Sequence, residues 1–164
     1  MFIEDLTGSI PTELGMLEDL GTLIISATQQ TGTIPSELGL LNVEGLVLNE
    51  LPSLSGTIPT ELGMLRKVED LLLDLNDLEG SVPTELGQLS ALSWLYLDNN
   101  NLTGTVPTEL GLLYELKWLY LNRNHLQGTL PSQLTLCPSL IGLVAHVNGM
   151  RRAGCANGDW MDSS

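Results

Sequence analysis

Short apolar words, separated by glycine, proline and polar residues, recur along the whole chain at one fixed step. Pro11, Pro35, Pro59, Pro83, Pro107 and Pro131 are spaced by 24 residues, and Gly8, Gly32, Gly56, Gly80, Gly104 and Gly128 stand three residues before them. Leu14, Leu38, Leu62, Leu86, Leu110 and Leu134 follow in phase. A period of roughly 20 to 30 residues is the mark of a solenoid, whose repeats bury their apolar faces only against their neighbours. Within Leu95-Tyr96-Leu97, alternation turns both leucines inward and Tyr96 outward on a short strand that pairs with the next coil. Further on, a helical turn is predicted from about Pro107. Proline suits a first helical position, and Glu109 adds a favourable charge near the positive end of that turn.

The unit Leu92-Ser93-Trp94-Leu95-Tyr96-Leu97-Asp98-Asn99-Asn100-Asn101-Leu102-Thr103-Gly104-Thr105-Val106-Pro107 resembles the plant-type leucine-rich-repeat family. That family's pattern reads LxxLxxLxLxxNxLxGxIPxxLGxL, and the likeness runs from residue 6 to about 150. The resemblance implies an α/β solenoid, a curved right-handed superhelix with short parallel strands on the concave face and helical or 3-10 turns on the convex face. It implies a second short strand at Thr103-Gly104-Thr105-Val106-Pro107. It also implies a buried amide ladder at Asn76, Asn100, Asn124 and Asn148, satisfying loop backbone between coils. Thr28 and Pro52 hold that phase in the early coils, so the N-terminal third is expected to be less tightly specified.

The second coil breaks step. Leu46 and Leu48 arrive one residue early against Leu71 and Leu73, whereas Leu54 is back in phase with Leu78. One residue is lost around Leu41-Asn42-Val43 and one gained in Asn49-Glu50-Leu51-Pro52-Ser53, which predicts a bulge after the strand. Residues 1–150 are read as one solenoid of about six coils, the first incomplete. Residues 151–164 are read as a cap or tail, because Arg152 stands where the glycine belongs. No capping unit covers Leu6, Ile10 and Leu14, so the N-terminal edge is expected to be open and available for self-association.

Chemistry must lie in the variable positions. Four columns are expected to face outward along the strands. One reads Ile24, Val47, Leu72, Tyr96, Tyr120, Val144, and its neighbour Thr22, Gly45, Asp70, Trp94, Trp118, Gly142. The next reads Ser26, Asn49, Asp74, Asp98, Asn122, His146, and the last Ala27, Glu50, Leu75, Asn99, Arg123, Val147. Four of the seven aromatic residues thereby fall on two adjacent strands where the core does not need them. Such rings stabilise a sheet by cross-strand contact, about 0.2–1 kcal/mol per pair. Exposed with a polar rim, they also match the composition of a binding hot spot. The expected ligand site is Trp94, Tyr96, Trp118 and Tyr120, with Asp70, Asp74, Asp98, Asn122 and Arg123 at its edge.

Two further periodic rows have blander readings. Glu13, Glu37, Glu61, Glu85 and Glu109 sit at the starts of helical turns, where a carboxylate is favourable, and monodentate acids on successive coils lack the oxygen count of a calcium site. The Thr7/Ser9, Thr31/Thr33, Ser55/Thr57, Glu79/Ser81, Thr103/Thr105 and Gln127/Thr129 pairs resemble the flat threonine arrays of ice-binding solenoids, but Glu79 and Gln127 interrupt them.

Charge and composition narrow the function. Twenty acidic against six basic residues give a net charge of −14, which repels nucleic acid and anionic membrane surfaces. Apolar runs are too short to insert in a bilayer. No phosphate loop or metal-spaced Cys/His set occurs, His125 and His146 have no partner pattern, and neither an enzyme nor a cofactor is expected. Cys137 takes the core phase of Leu113, where a small buried thiol would fit alone. The family often closes its last coil with a disulfide, so the resemblance implies pairing with Cys155. Asn101-Leu102-Thr103 is a glycosylation sequon. Together these favour an extracellular or cell-surface ligand-recognition module for a protein, peptide or glycan. A secreted inhibitor or surface-binding protein, of the wall-enzyme-inhibitor or ice-binding sort, and a structural scaffold are the alternatives.

Overall fold

The computed structural model describes residues 7–146 and 148–150. Six parallel strands, Thr22–Ser26, Gly45–Asn49, Asp70–Leu72, Trp94–Tyr96, Trp118–Tyr120 and Gly142–Val144, pair in chain order into one sheet. Equivalent residues meet across it, Leu71 beside Leu95 and Leu95 beside Leu119. A second sheet runs through Thr7–Ser9, Gln29–Gly32, Leu51–Thr57, Asn76–Ser81 and Asn101–Thr103. Its regular pairing stops at Thr103, leaving a single bridge from Thr105 to Gln127 before Gln127–Gly128 pairs with Gly149–Met150.

Six five-residue 3-10 helices, Thr12–Met16, Ser36–Leu40, Thr60–Met64, Thr84–Gln88, Thr108–Leu112 and Ser132–Leu136, close the third side. Each follows a proline held extended, Pro107 at φ −63° and ψ 139°. Proline is therefore the capping residue and not the first helical one, as the sequence suggested. Its carbonyl accepts the N–H of Leu110. The threonine or serine hydroxyl ahead of each first-turn glutamate donates to that carboxylate, 3.2 Å for Thr108 and Glu109.

The leucine columns fill the space between these layers. Leu71, Leu95, Leu119, Leu73, Leu97 and Leu121 are all fully buried, and each such side chain removed from water contributes about 1.5–3 kcal/mol. The asparagine ladder is present. Asn100 Nδ2 donates to the carbonyl oxygens of Leu73 at 2.9 Å and Leu97 at 3.2 Å, while its Oδ1 accepts the N–H of Leu78 at 3.0 Å. Asn76, Asn124 and Asn148 repeat the pattern. Every amide thus ties its own coil to the preceding one.

The irregular second coil is resolved by register. Leu23 pairs with Leu46 and Leu46 with Leu71, steps of 23 and 25, so the lost residue lies before Leu46. The extra residue produces a bulge between Leu51 and Ser55. One assignment shifts: Leu51, not Pro52, stands opposite Asn76, and Leu51 is buried while Pro52 is exposed. A leucine can occupy the ladder's phase but cannot extend it. In the first coil Thr28 is buried with its hydroxyl unpaired, and Gln30, fully buried, leaves both polar atoms of its amide unpaired.

Candidate ligand-binding face

The first sheet builds the candidate face from strand alternation. In Trp94–Tyr96 and Trp118–Tyr120 the middle leucine is buried and the flanking rings are turned away from the core. Register then sets Trp94 beside Trp118 and Tyr96 beside Tyr120. The two indoles stack with centroids 5.9 Å apart at 22°, and the two phenols meet at 4.4 Å. Along each strand, Trp94 meets Tyr96 edge-on at 6.0 Å and Trp118 lies over Tyr120 at 6.1 Å. The four rings form one continuous layer, worth about 0.5–1.5 kcal/mol per pair beyond the area buried.

That layer is less open than alternation implied. Trp94 is 38% exposed, and Trp118, Tyr96 and Tyr120 are only half-buried. Neighbouring glycine explains Trp118. A Cβ at Gly142 would fall within the Trp118 ring, so the indole rests on the backbone of the next coil. Gly142, present in the column but without an assigned role, is the seat that lets Trp118 lie flat.

The third column lies beside the phenols, buried at Asp74 and Asn122, half-buried at Ser26, Asn49 and Asp98, and exposed at His146. Asp74 and Asn122 are 9% and 8% exposed, and Asp98 is half-buried. Burial pushes the carboxyls of both Asp74 and Asp98 above the usual range. For Asp74 the backbone opposes this, the charge of Asp98 adds to it, and the Asn49 amide offsets part. For Asp98 the Asn99 amide is the largest opposing influence, with Asn122 and Arg123 also holding it down. Asn99 Nδ2 donates to Asp98 Oδ2 at 2.6 Å, and Arg123 reaches Asn99 Oδ1 at 3.4 Å. Burial first, then Tyr120, Asp98, Asp74 and Asp70, push the Tyr96 hydroxyl up to about 12. Asp74, Asp98, Asn122 and Arg123 thus lie along the phenol edge of the rings, whereas Asp70, exposed like Arg123, stands in the indole column opposite Trp94.

The fourth column is not a strand column. Ala27, Glu50, Leu75, Asn99 and Arg123 all adopt left-handed φ between 53° and 57°, forming the turn that leads the chain off the sheet. Only Asn99 is a common tenant of that region. Asn49 and Asn99, left out of the expected site, prove to border its acidic centre. Their signal was adjacency in the columns, which ranks no member above another.

Outside this face, Asn101 is exposed and its Nδ2 donates to Asp77. Cys137 is buried with Sγ 3.6 Å from the Leu110 carbonyl oxygen, and burial raises its thiol pKa. Its expected partner Cys155, the tail 151–164, Leu6 and Val147 lie outside the described residues. Among the described residues no group of three or more His, Cys, Asp or Glu could hold a metal ion, and no helix is long and apolar enough to cross a membrane.

A family model described as Leucine Rich Repeat matches residues 91–113 and 115–137, the two coils that carry the rings. The chain belongs to the leucine-rich-repeat family. It is of the plant type and similar to receptor ectodomains. The ectodomain of the membrane receptor kinase GASSHO1/SCHENGEN3 from Arabidopsis thaliana, solved in complex with CASPARIAN STRIP INTEGRITY FACTOR 2, is 40% identical with a TM-score of 0.86. The likeness covers 92% of this chain and 18% of that one. The plant peptide hormone receptor RGFR1, solved in complex with RGF2, is 30% identical with a TM-score of 0.82, over 90% of this chain and 27% of the receptor. A plant ice-binding protein is 35% identical with a TM-score of 0.75, over 78% of this chain and 42% of its own. This leucine-rich-repeat chain thus spans less than half the length of each. Among curated proteins no match is found.

Proposed function

We propose that this leucine-rich-repeat chain recognises a peptide or protein ligand on the exposed face of its first sheet, in an extracellular setting. The observation that carries the reading is the ring layer. Four aromatic side chains on two adjacent strands, turned from the core and bordered by charged groups, have the make-up of an interface anchor. Receptors similar to this chain are described as bound to peptide or protein factors, which supports the ligand class. Trp94, Tyr96, Trp118 and Tyr120 form the floor, and Asp70, Asp74, Asp98, Asn122 and Arg123 the rim. Recognition, and not catalysis, is the reading. A glycan stacked on Trp94 and Trp118 is the outcome to be distinguished by the ligand found.

The test is selection of a binding peptide from a displayed library, followed by affinity measurement against variants. Tyr120→Ala or Trp94→Ala is expected to cost about 2 kcal/mol or more of binding with folding intact. Ile24→Ala, at the far end of the same column and 65% exposed, is expected to bind as the parent does. Equal loss in all three would remove the ring layer from the site.

A second reading has its own observation. Ser9, Thr33, Thr57, Ser81, Thr105 and Thr129 recur as exposed residues at the 24-residue step, in or beyond the strands on the second-sheet side of the coils, and the ice-binding protein is among the similar structures. Thermal hysteresis that is abolished by Thr57→Leu but untouched by Tyr120→Ala would favour it over ligand recognition.

A further inference from the structure

The polar row beside the phenols runs Asn49, Asp74, Asp98, Asn122 over four successive coils. The backbone there is still paired, Leu73 N–H to Tyr96 carbonyl and Leu75 N–H to Asp98 carbonyl, so Asp74 and Asp98 stand about one strand spacing, roughly 4.8 Å, apart. Two like charges on strands that close with little water are unfavourable, and the Asn49, Asn99 and Asn122 amides offset this only in part. Asp74 Oδ1 is buried without a hydrogen-bond partner, and so are the Oδ1 atoms of Asn122 and Asn49. The Asn122 amide helps hold the Asp98 carboxyl down, while its Oδ1 stays a buried acceptor without a partner beside Asp98 in the same row. Arg123 donates to Asn99 Oδ1, and its charge is the smallest of the influences that hold Asp98 down. The Tyr96 hydroxyl lies in the field of Asp70, Asp74 and Asp98 together.

A row of acceptors, two of them anionic, calls for a cationic donor with several N–H groups. A divalent metal is disfavoured, because no third acid or histidine joins the pair among the described residues and a hard cation takes about six to eight oxygens. An ammonium is a compact, strongly hydrated point charge. A guanidinium is planar, weakly hydrated, holds five N–H groups in a fixed fork that can bridge two carboxylates, and stacks on aromatic faces.

We propose that Asp74 and Asp98, with Asn122 Oδ1 beside them and the Tyr96 ring as a wall, form the recognition subsite for an arginine side chain of the bound peptide. This rests on the reading of the ring layer as a peptide-binding face and names the chemistry that fixes register on it. The net charge of −14 favours approach of a basic peptide from a distance.

The experiment uses the full chain and three pentapeptides, Gly-Gly-X-Gly-Gly, with X arginine, lysine or citrulline. Citrulline keeps the shape of arginine and lacks its charge. Binding is read from the NMR shifts of the Trp94 and Trp118 indole N–H groups and of the backbone amides of residues 73–76 and 97–100. The arginine peptide is expected to shift both sets saturably, with citrulline at least about tenfold weaker and lysine between them. Asp74→Asn with Asp98→Asn is expected to reduce arginine to the citrulline level. Should that double variant fail to fold, Asp98→Asn alone is the substitute, with a smaller drop expected. Equal binding of arginine and citrulline would overturn the acidic subsite and leave the ring layer standing. Amide shifts near Asp74 and Asp98 with silent indoles would keep the subsite and remove the rings. No saturable shift with the arginine peptide would overturn the inference.

Discussion

Asp74 is held where its charge is poorly solvated and its Oδ1 unpaired, and Asp98 stands one coil away, half-buried and bonded to the Asn99 amide. Burial raises both carboxyls in the folded chain above the unfolded value of 3.8. Such a group binds its proton more tightly when folded, so its contribution to stability is fully present below pH 3.8 and is lost as the pH rises through the folded pKa. At neutral pH the pair therefore costs stability. Asp74→Asn, which keeps shape and removes charge, is expected to raise Tm at pH 7 by about 2–4 °C for each kcal/mol recovered, and to change it little at pH 3. Thermal melts at the two pH values decide this, and a lower Tm at pH 7 would contradict it. Loss of stability at a site is what a retained binding function tolerates. Alternation in the sequence put Asp74 on the correct side of the strand, because side-chain direction follows from period alone. Its burial was not legible, since that depends on the rings and amides of adjoining coils. Nor were the left-handed turns at Ala27, Glu50, Leu75 and Arg123, which no residue type there announces; backbone bonds such as Leu75 N–H to the Asp98 carbonyl impose them.

Coil-to-coil stacking depends on positions with no side chain at all. Gly87 faces the next 3-10 helix so closely that a Cβ would sit 2.5 Å from the Glu109 carbonyl oxygen and 2.7 Å from the Glu109 Cβ. Gly63 meets Glu85 in the same way. Gly87→Ala must therefore separate the two helices locally, and a loss of about 1–3 kcal/mol in chemical denaturation is expected. An alanine variant as stable as the parent would show that the coils have slack there. Gly80 has a different necessity, its left-handed φ of 78°. The sequence displayed both glycine rows at the same period. It could not separate a glycine needed for backbone conformation from one needed for close approach, because periodicity shows that a position is restricted and not which atoms stand across from it. The asparagine ladder was legible only through the family resemblance. Its physical reason is seen in the structure, where the backbone between coils supplies both the acceptors and the donor that a buried amide needs.

Along the whole solenoid these local terms are unevenly distributed. From Asn76 onward each coil adds an asparagine bonded to its own and the preceding coil. Before it, Leu51 takes the ladder's place opposite Asn76, Thr28 leaves its hydroxyl unpaired, and Gln30 buries a whole unpaired amide. Leu14, Leu20, Leu23 and Ile25 are only partly buried, whereas Leu71, Leu95 and Leu119 are fully so. Stability in a repeat protein is close to a sum of coil terms and nearest-neighbour interfaces, so weak interfaces open locally before the rest. Amide hydrogen exchange in this chain is therefore expected to be fastest before about residue 50 and slowest in the coils of Leu95 and Leu119. Gln30→Leu removes the unpaired amide from a site that elsewhere in the period holds a leucine, such as Leu78 or Leu102. It is expected to raise stability by about 1–3 kcal/mol and to slow exchange around residues 23–33 more than around Leu119. If exchange in the parent is uniform along the chain, the solenoid opens as one cooperative unit and the gradient is refuted. If the gradient is present but Gln30→Leu destabilises, Gln30 is satisfied in solution, and the early coils owe their weakness to the missing asparagines alone.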